Sequence, residues 1–370
     1  MKIGCPKEIK PQEFRVGLTP DAIREAVAHG HSLYIEANAG TGSGFADADY
    51  VAAGATILAT AEEVFAVAEM IVKVKEPQAV ERKRLRADQI LFTYLHLAAD
   101  AEQTADLMAS GVTAIAYETV TDERGGLPLL APMSEVAGRL APQVGAWTLQ
   151  KANGGRGVLM GGVPGVLPAK VLVIGGGVVG THAAKISAGM GADVTVIDRS
   201  LPRLRYLDDV FGGQFKNAYA SAAATITLAK EADLIIGAVL IPGAAAPKLI
   251  TKAQLSLLKP GAALVDVAID QGGCVETSKP TTHGDPTYII DDVIHYCVAN
   301  MPGGVPRTST IALNNATLPH LVKIANNGYA KALSDDKHLL AGLNVCKGQV
   351  TYKAVADVFG YDYVDPLKTL

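Results

Sequence analysis

The sequence is poor in aromatic residues and cysteine, and it has no excess of charge of either sign. Among its 370 residues, 33 Lys and Arg oppose 37 Asp and Glu, and this balance argues against a nucleic-acid-binding protein, which usually carries a basic excess. The four cysteines (Cys5, Cys274, Cys297 and Cys346) lie far apart without a CxxC pair, so we expect reduced thiols. The longest stretch without Asp, Glu, Lys or Arg is the 15 residues 308–322. A membrane-spanning helix needs about 20 mostly apolar residues, so no membrane segment is predicted.

The composition is that of a folded, soluble protein. Apolar residues make up 49% of the chain and charged residues 19%, which excludes intrinsic disorder. The segment 1–10 lacks the apolar region of a signal peptide, so we expect a cytoplasmic location. At about 150 residues per domain, this length predicts two or three domains.

Apolar runs of strand length alternate with amphipathic segments along the whole chain. This alternation is typical of a mostly parallel sheet with helices on both faces. The predicted strands are 2–5, 32–36, 70–74, 89–94, 113–117, 170–174, 193–197, 214–219, 233–238 and 262–267. The predicted helices are 21–29, with Thr19 as its cap, 62–68 and 101–109.

Two longer helices divide the predicted chain. One spans 134–151 with Ser134 as a possible N-cap, and the other lies around 309–325. We therefore predict an α/β fold of two doubly wound Rossmann-like domains linked by these helices. A domain of residues 131–304 is inserted into a discontinuous domain of residues 1–130 and 305–370. Residues 331–370 are interpreted as helical packing.

The inserted domain carries a dinucleotide-binding pattern. An apolar strand at 170–174 runs into Gly175-x-Gly177-x-x-Gly180 and then into a helix. The first glycine permits a tight turn, the second lets a pyrophosphate approach the backbone, and the third lets helix and strand pack closely. Asp198 follows the last glycine by 198 − 180 = 18 residues, the spacing of the acidic residue that binds the adenosine ribose.

The charge at this position favours NAD over NADP. The carboxylate of Asp198 would repel a 2′-phosphate, whereas Arg199, Arg203 or Arg205 could accept one. An ordinary solvated helix face explains the three arginines equally well.

The remaining candidates for chemistry are four polar residues outside this motif. Arg15 precedes a predicted helix, while Lys75 and His96 follow predicted strands, where open α/β sheets bind ligands. A guanidinium, an ammonium and an imidazole suit an anionic keto or amino acid. Asp270 follows a further strand in a glycine-bounded turn. Structural roles remain open for each: a surface Arg, a Lys at a strand end, a core His and an Asp that caps a turn.

Several segments resemble the alanine dehydrogenase and nicotinamide nucleotide transhydrogenase family, and the likeness covers essentially the whole chain. The segments are 4–8 (GCPKE), 15–20 (RVGLTP), 72–77 (VKVKEP), 92–96 (FTYLH), 161–165 (GGVPG), 268–273 (AIDQGG) and 300–309 (NMPGGVPRTS). The resemblance implies reversible NAD-dependent oxidative deamination of L-alanine to pyruvate and ammonium, carried out by a homohexamer.

The resemblance also implies roles for individual residues. Arg15 and Lys75 match positions that bind the substrate carboxylate and carbonyl side, His96 matches the general acid/base, and Asp270 matches a second catalytic residue. Asn300 falls in the substrate pocket. The residues implied to contact NAD are Ser134, Gly175, Gly177, Val178, Val179, Gly180, Asp198, Arg203, Val239, Leu240, Val267, Ala268, Ile269, Asp270, Lys279, Val298 and Met301.

The chain departs from the family pattern at the position expected to contact the adenine. Ala220 stands where similar enzymes carry a Ser at the adenine edge, so either Ser221 takes that role or the contact is lost. The segment 323–327 lacks the acidic residue and the His of a metal site suggested for some relatives, so no metal is predicted.

Three other functions are compatible with a dinucleotide-binding chain of this kind: a transhydrogenase subunit, a dehydrogenase of a larger amino acid and a non-catalytic NAD-binding protein. The presence of both His96 and Asp270 favours the alanine reaction.

Overall fold

The computed structural model of the chain describes residues 1–239 and 246–370. In these residues the strands are β1 (Lys2–Cys5), β2 (Ser32–Glu36), β3 (Thr56–Leu58), β4 (Met70–Val72), β5 (Ile90–Thr93), β6 (Thr113–Ala116), β7 (Lys170–Ile174), β8 (Asp193–Asp198), β9 (Lys216–Tyr219), β10 (Leu234–Gly237), β11 (Ala263–Asp266), β12 (Thr287–Ile290), β13 (Val293–Tyr296), β14 (Leu343–Cys346) and β15 (Gln349–Val350).

The helices alternate with these strands over most of the chain. They are α1 (Pro20–Ala28), α2 (Asp47–Ala52), α3 (Ala61–Val67), α4 (Ala79–Arg82), α5 (Ala101–Ser110), α6 (Ala131–Thr148), α7 (Val178–Gly189), α8 (Leu201–Phe211), α9 (Ala222–Glu231), α10 (Lys252–Leu255), α11 (Pro306–Asn327), α12 (Tyr329–Ser334), α13 (Lys337–Leu340) and α14 (Lys353–Phe359). No helix in the described part of the chain is both long and apolar enough to cross a membrane.

The chain divides into two compact units. Unit 1 comprises Met1–Met133 and Val305–Leu370, and unit 2 comprises Ser134–Gly304. Each unit is built on its own sheet. The fold class predicted from the sequence, α/β with two Rossmann-like domains, is confirmed.

The sheet of unit 1 has the strand order β15-β14-β6-β5-β4-β1-β2-β3. Neighbours from β6 to β3 pair in parallel, whereas β14 pairs antiparallel with β6 and β15 antiparallel with β14. The central strands β4, β5 and β6 are buried along their whole length. They are short apolar runs with little polar alternation, as expected for strands covered by helices on both faces.

The sheet of unit 2 has the order β12-β13-β11-β10-β7-β8-β9. All neighbours are parallel except β12, which pairs antiparallel with β13. The chain proceeds outward from β7 to β9 and then returns to β10 on the other side of β7. This reversal creates a crevice at the carboxyl end of β7, where open α/β sheets bind their ligands.

Two predictions about individual segments were wrong. Ser134 is not an N-cap, because α6 already begins at Ala131. A hydrogen-bonded turn precedes it, with the N–H of Ala131 donating to the carbonyl of Leu127, and Pro132 fits in the first turn because no donor is needed there.

Residues 331–370 do not form helices alone. They include the hairpin β14–β15, whose two-residue turn places Lys347 and Gly348 at φ of 50° and 78°. Two consecutive left-handed residues form the turn that matches the twist of paired strands.

The predicted helix cap at Thr19 is confirmed, since its hydroxyl accepts the N–H of Ala22 at 3.2 Å.

Candidate active site

Three of the predicted functional residues follow three neighbouring strands of unit 1. Arg15 lies in the segment after β1, Lys75 lies shortly after β4, and His96 lies shortly after β5. These strands are adjacent and parallel in the order β5-β4-β1. Because the carboxyl ends of parallel strands share one edge of a sheet, the fold brings all three residues to the same edge.

Arg15 is held by a buried carboxylate. The residue is 2% exposed, so it is not a surface arginine. Its Nε and Nη2 donate to the two carboxylate oxygens of Glu13 at 2.7 and 2.6 Å, and its Nη1 points to the sulphur of Met133 at 3.1 Å. Burial alone lowers the pKa of the guanidinium, but the paired Glu13 outweighs that effect and the net pKa is raised. The guanidinium is therefore a fixed cation with a set orientation.

Lys75 is positioned through its backbone. The carboxylate of Glu8 accepts the N–H groups of Val74 and Lys75 at 2.7 and 3.3 Å, and the hydroxyl of Thr93 donates to the Lys75 carbonyl at 3.0 Å. Its ammonium is half-buried, 3.9 Å from Glu76.

A fully buried cation, Lys73, holds Glu8 in turn. Its ammonium lies 3.2 Å from Glu8 and 2.7 Å from Glu81. Burial raises the pKa of the Glu8 carboxyl, and the nearby Lys73 only partly opposes this effect.

His96 is exposed at the end of β5, and the core-histidine interpretation is therefore wrong. Its side chain is 47% exposed, and its backbone has φ 51° and ψ 40°, in the left-handed region. The Tyr94 ring lies parallel to the imidazole, with ring centroids 5.9 Å apart and an angle of 4° between the planes. The phenol of Tyr94 donates to the Leu129 carbonyl at 2.6 Å, which fixes that ring. Tyr94 is also close enough to Arg15 for the guanidinium to oppose the rise that burial causes in its pKa.

Sequence reasoning missed the carboxylates of this edge. Glu8 and Glu13 are 6% and 5% exposed, and Glu118, in the turn after β6, contacts the backbone of Leu95 and His96. The signal for Glu118 was present, since it follows a strand as Lys75 and His96 do. No local pattern distinguishes Glu8 and Glu13 from surface residues.

In unit 2 the glycine loop has the geometry that its sequence predicts. Gly175 has φ 104°, Gly177 caps the N-terminus of α7, and a Cβ on Gly180 would lie 1.7 Å from the Gly175 carbonyl oxygen. A Cβ on Gly177 would meet no atom within 4 Å, so space remains beside the backbone there. Together with the helix N-terminus, this open loop fits a dinucleotide pyrophosphate.

Two side chains brace this loop. Asp198, at the end of β8, accepts the N–H of Gly176 and the N–H of Ser200, each at 2.7 Å. Arg203 donates through Nε to the Gly176 carbonyl at 2.5 Å and through Nη2 to the Thr181 hydroxyl at 2.7 Å. Arg203 is thus not part of an ordinary solvated helix face, whereas Arg199 and Arg205 are exposed.

The other predicted NAD positions lie mostly beyond the carboxyl ends of β10, β11 and β13, on the edge that also carries the glycine loop. Val239 follows β10, and its methyl group would be 3.2 Å from a Cβ on Gly175, while Leu240 lies outside the described residues. Three further groups complete the set: Val178 and Val179, which open α7; Val267, Ala268 and Ile269, which follow β11; and Val298 and Met301, which follow β13 and are buried. Lys279 is exposed, and Ser134 lies inside α6.

Asp270 does not cap its own turn; Asp266 does. The buried carboxylate of Asp266 accepts the N–H groups of Ala268, Cys274 and Val275 at 3.2, 2.9 and 3.3 Å. Asp270 is exposed, and its Oδ1 accepts the N–H of Asn300 at 3.2 Å.

The remaining sequence questions concern the adenine edge and metal binding. Ser221 is the N-cap of α9, and its hydroxyl accepts the N–H of Ala224 at 3.1 Å. Within the described ranges, no cluster of three or more His, Cys, Asp or Glu side chains could hold a metal ion. All four cysteines are buried and unpaired.

Comparison with known proteins shows that two family models together match most of the chain. The models "Alanine dehydrogenase/PNT, N-terminal domain" and "Alanine dehydrogenase/PNT, C-terminal domain" match residues 4–137 and 141–353. An alanine dehydrogenase of Halomonas elongata is 61% identical over 365 residues, which cover 99% of this chain and 98% of the relative. One from Bacillus subtilis is 55% identical over 371 residues, 100% of this chain and 98% of the relative. A solved structure titled L-alanine dehydrogenase has a TM-score of 0.94 and 54% identity, covering 97% of this chain and 99% of that chain.

Proposed function

The chain belongs to the alanine dehydrogenase/PNT family, and from that premise we propose that it catalyses reversible NAD-dependent oxidative deamination of L-alanine to pyruvate and ammonium. One observation carries the proposal: Arg15, Lys75 and His96 share one sheet edge in a chain that matches alanine dehydrogenases along its whole length. This is an oxidoreductase acting on the CH–NH2 group, and its cofactor is NAD.

Unit 1 is proposed as the substrate unit and unit 2 as the NAD-binding unit. In unit 2 the glycine loop and the α7 N-terminus would hold the pyrophosphate, and Asp198 would accept hydrogen bonds from the adenosine ribose. The negative charge of Asp198 disfavours a 2′-phosphate, and Arg203 is already engaged with the loop. Both features favour NAD over NADP.

In unit 1 the substrate is held by two cations. The fixed guanidinium of Arg15 would bind the L-alanine carboxylate, and Lys75 would bind on the side of the developing carbonyl. A carboxylate bound in one orientation directs the Cα–H bond, and such positioning supplies a large part of enzymatic rate acceleration. NAD, when bound, accepts the hydride that leaves Cα.

His96 and Asp270 would carry the later proton transfers. The substrate amine loses a proton to solvent and Cα loses its hydride, which gives iminopyruvate, and water then adds to the C=N bond. His96 would take a proton from that water and return it to the departing ammonia. Asp270 would stabilise the carbinolamine. The exposed imidazole of His96 can exchange protons with both substrate and solvent.

The test is the absorbance of NADH. We expect NADH to form from NAD when L-alanine is added and to be consumed when pyruvate and ammonium are added together. Transfer of hydride from NADH to NADP without any amino acid would instead support the transhydrogenase alternative. A response to larger amino acids but not to L-alanine would support the related dehydrogenase.

The location proposed here rests on the sequence of the segment 1–10, and the assembly rests on family likeness. A cytoplasmic homohexamer is expected, with L-alanine, pyruvate and ammonium as its partners and with neither nucleic acid nor membrane. Light scattering of the purified protein should give six times the mass of the chain. A monomer or dimer would contradict the hexamer without affecting the proposed reaction.

A further inference from the structure

The carboxylate of Glu118 contacts the candidate catalytic histidine, and the proposed reaction gives it no role. Glu118 lies in the turn Tyr117–Thr119, directly after β6, which is the neighbour of β5 in the sheet of unit 1. Its side chain is 12% exposed. A carboxyl group so largely withdrawn from water requires hydrogen-bond partners within the protein.

Those hydrogen bonds come from the backbone of the histidine itself. Glu118 Oε1 accepts the N–H of His96 at 2.6 Å, and its two oxygens accept the N–H of Leu95, each at 3.2 Å. The 2.6 Å distance is short even for a charge-assisted bond. Glu118 therefore fixes the two peptide units that carry the imidazole.

The backbone conformation of His96 requires stabilisation by neighbouring groups. Its φ of 51° is left-handed, a conformation that a residue with a Cβ rarely adopts unless its surroundings impose it. An extended or helical conformation would direct the side chain elsewhere. The carboxylate selects the conformer in which the imidazole is exposed at the sheet edge beside Tyr94.

The same oxygen also faces the ring. Nδ1 of His96 lies 3.8 Å from Glu118 Oε1, so the carboxylate is on the Nδ1 side of the imidazole. An anion on that side favours a proton on Nδ1 and leaves Nε2 as the nitrogen that exchanges protons with substrate.

We propose that Glu118 is a positioning residue that acts through His96, holding its left-handed backbone and keeping Nε2 as the proton-exchanging nitrogen. This inference rests on the proposed function, because it presumes that His96 transfers protons. It assigns Glu118 no contact with the substrate. Removal of the Glu118 charge should therefore slow turnover only while His96 is present.

The experiment is a double-mutant cycle with Glu118→Gln and His96→Ala. The Gln amide oxygen can still accept a backbone N–H, so the variant removes the charge with little change in shape. We expect Glu118→Gln alone to lower kcat for L-alanine about tenfold or more, because an orienting carboxylate fixes the position and tautomer of a catalytic His, with the Kd for NADH unchanged. In the His96→Ala background the same change should alter kcat by less than about twofold.

The melting temperature separates this role from a merely structural one. Glu118→Gln should lower it equally in both backgrounds, because the N–H groups of residues 95 and 96 are present in both. Glu123→Gln, five residues further along and exposed, is the matched control and should change neither kcat nor stability.

Two results would overturn the inference while the proposed function stands: an unchanged kcat in Glu118→Gln, or an equal loss of kcat in both backgrounds. If the unmodified protein fails to oxidise L-alanine with NAD, the proposed function itself is wrong, and this inference falls with it.

Discussion

The two units carry their candidate functional groups in different ways. At the edge of the unit 2 sheet the contacts expected for NAD come from backbone: Gly175 has a positive φ, Gly177 leaves space, and the N-terminus of α7 supplies N–H groups. At the edge of the unit 1 sheet the functional groups are side chains, and each is held by a carboxylate. Glu13 holds Arg15, and Glu118 holds His96.

Because of this difference, the sheet edges of unit 1 and unit 2 should be sensitive to different kinds of substitution. A backbone site fails when an added atom occupies its space, since the peptide cannot move aside. A site built from charges fails when one partner is removed and the other is left buried without compensation. Substitutions at each edge separate these two kinds of failure.

Gly180→Ala should have the largest effect. The new Cβ would lie 1.7 Å from the Gly175 carbonyl oxygen, and only a shift of the loop or helix could relieve that overlap. We expect destabilisation of about 3 kcal/mol or more and loss of NADH binding. Gly189→Ala in the same helix is the control, because its Cβ would meet nothing within 4 Å. Thermal unfolding and NADH fluorescence titration measure both variants, and equal behaviour of the pair would contradict the steric account.

Arg15→Ala should destabilise unit 1 by removing the bidentate cationic partner of a buried carboxylate. The carboxylate of Glu13 is 0% exposed and would lose its bidentate partner, which costs about 3 kcal/mol or more. The Michaelis constant for pyruvate should rise strongly because the guanidinium proposed to bind the pyruvate carboxylate is lost. The double variant Arg15→Met with Glu13→Gln should recover much of the stability but not the Michaelis constant. Recovery of both would show that Arg15 does not bind substrate.

Asp198→Asn tests a side chain that serves the backbone edge. An amide has one acceptor oxygen, whereas Asp198 accepts two N–H groups and would also bind the ribose. We expect the Kd for NADH to rise about tenfold because charge-assisted hydrogen bonds are lost. The affinity for NADPH relative to NADH should improve because the charge that repels a 2′-phosphate is removed. Titration of both nucleotides checks this, with exposed Asp209→Asn as the control. An unchanged ratio of the two affinities would remove Asp198 from nucleotide selection.

The edge of the unit 2 sheet is the part of the candidate site that the sequence could predict. The proposed NAD-binding edge is encoded within one short segment, so the strand at 170–174, its three glycines and Asp198 form a pattern that is visible without a structure. The strand bounds 2–5, 32–36 and 170–174 also agree with the fold, because each is a compact apolar run between turn residues.

The buried carboxylates Glu8 and Glu13 of unit 1 could not be predicted in this way. Glu8 and Lys73 are 65 residues apart in the chain and meet only because β1 and β4 pair. The hairpin β14–β15 was missed because it is short and joins the sheet of unit 1 from the far end of the chain. Its signal was the Lys347-Gly348 pair between Cys346 and Gln349, because a glycine at the second position of a two-residue turn readily adopts the required positive φ.

The central claim is that His96, in unit 1, transfers protons while unit 2 binds the nucleotide. Its most direct test measures kcat and the Kd for NADH on the same preparation of His96→Ala. We predict that kcat for L-alanine falls about 10²–10⁴-fold, the usual worth of a general acid/base, while the Kd for NADH stays within about twofold. Unchanged turnover, or a loss of NADH affinity in step with turnover, would contradict the account.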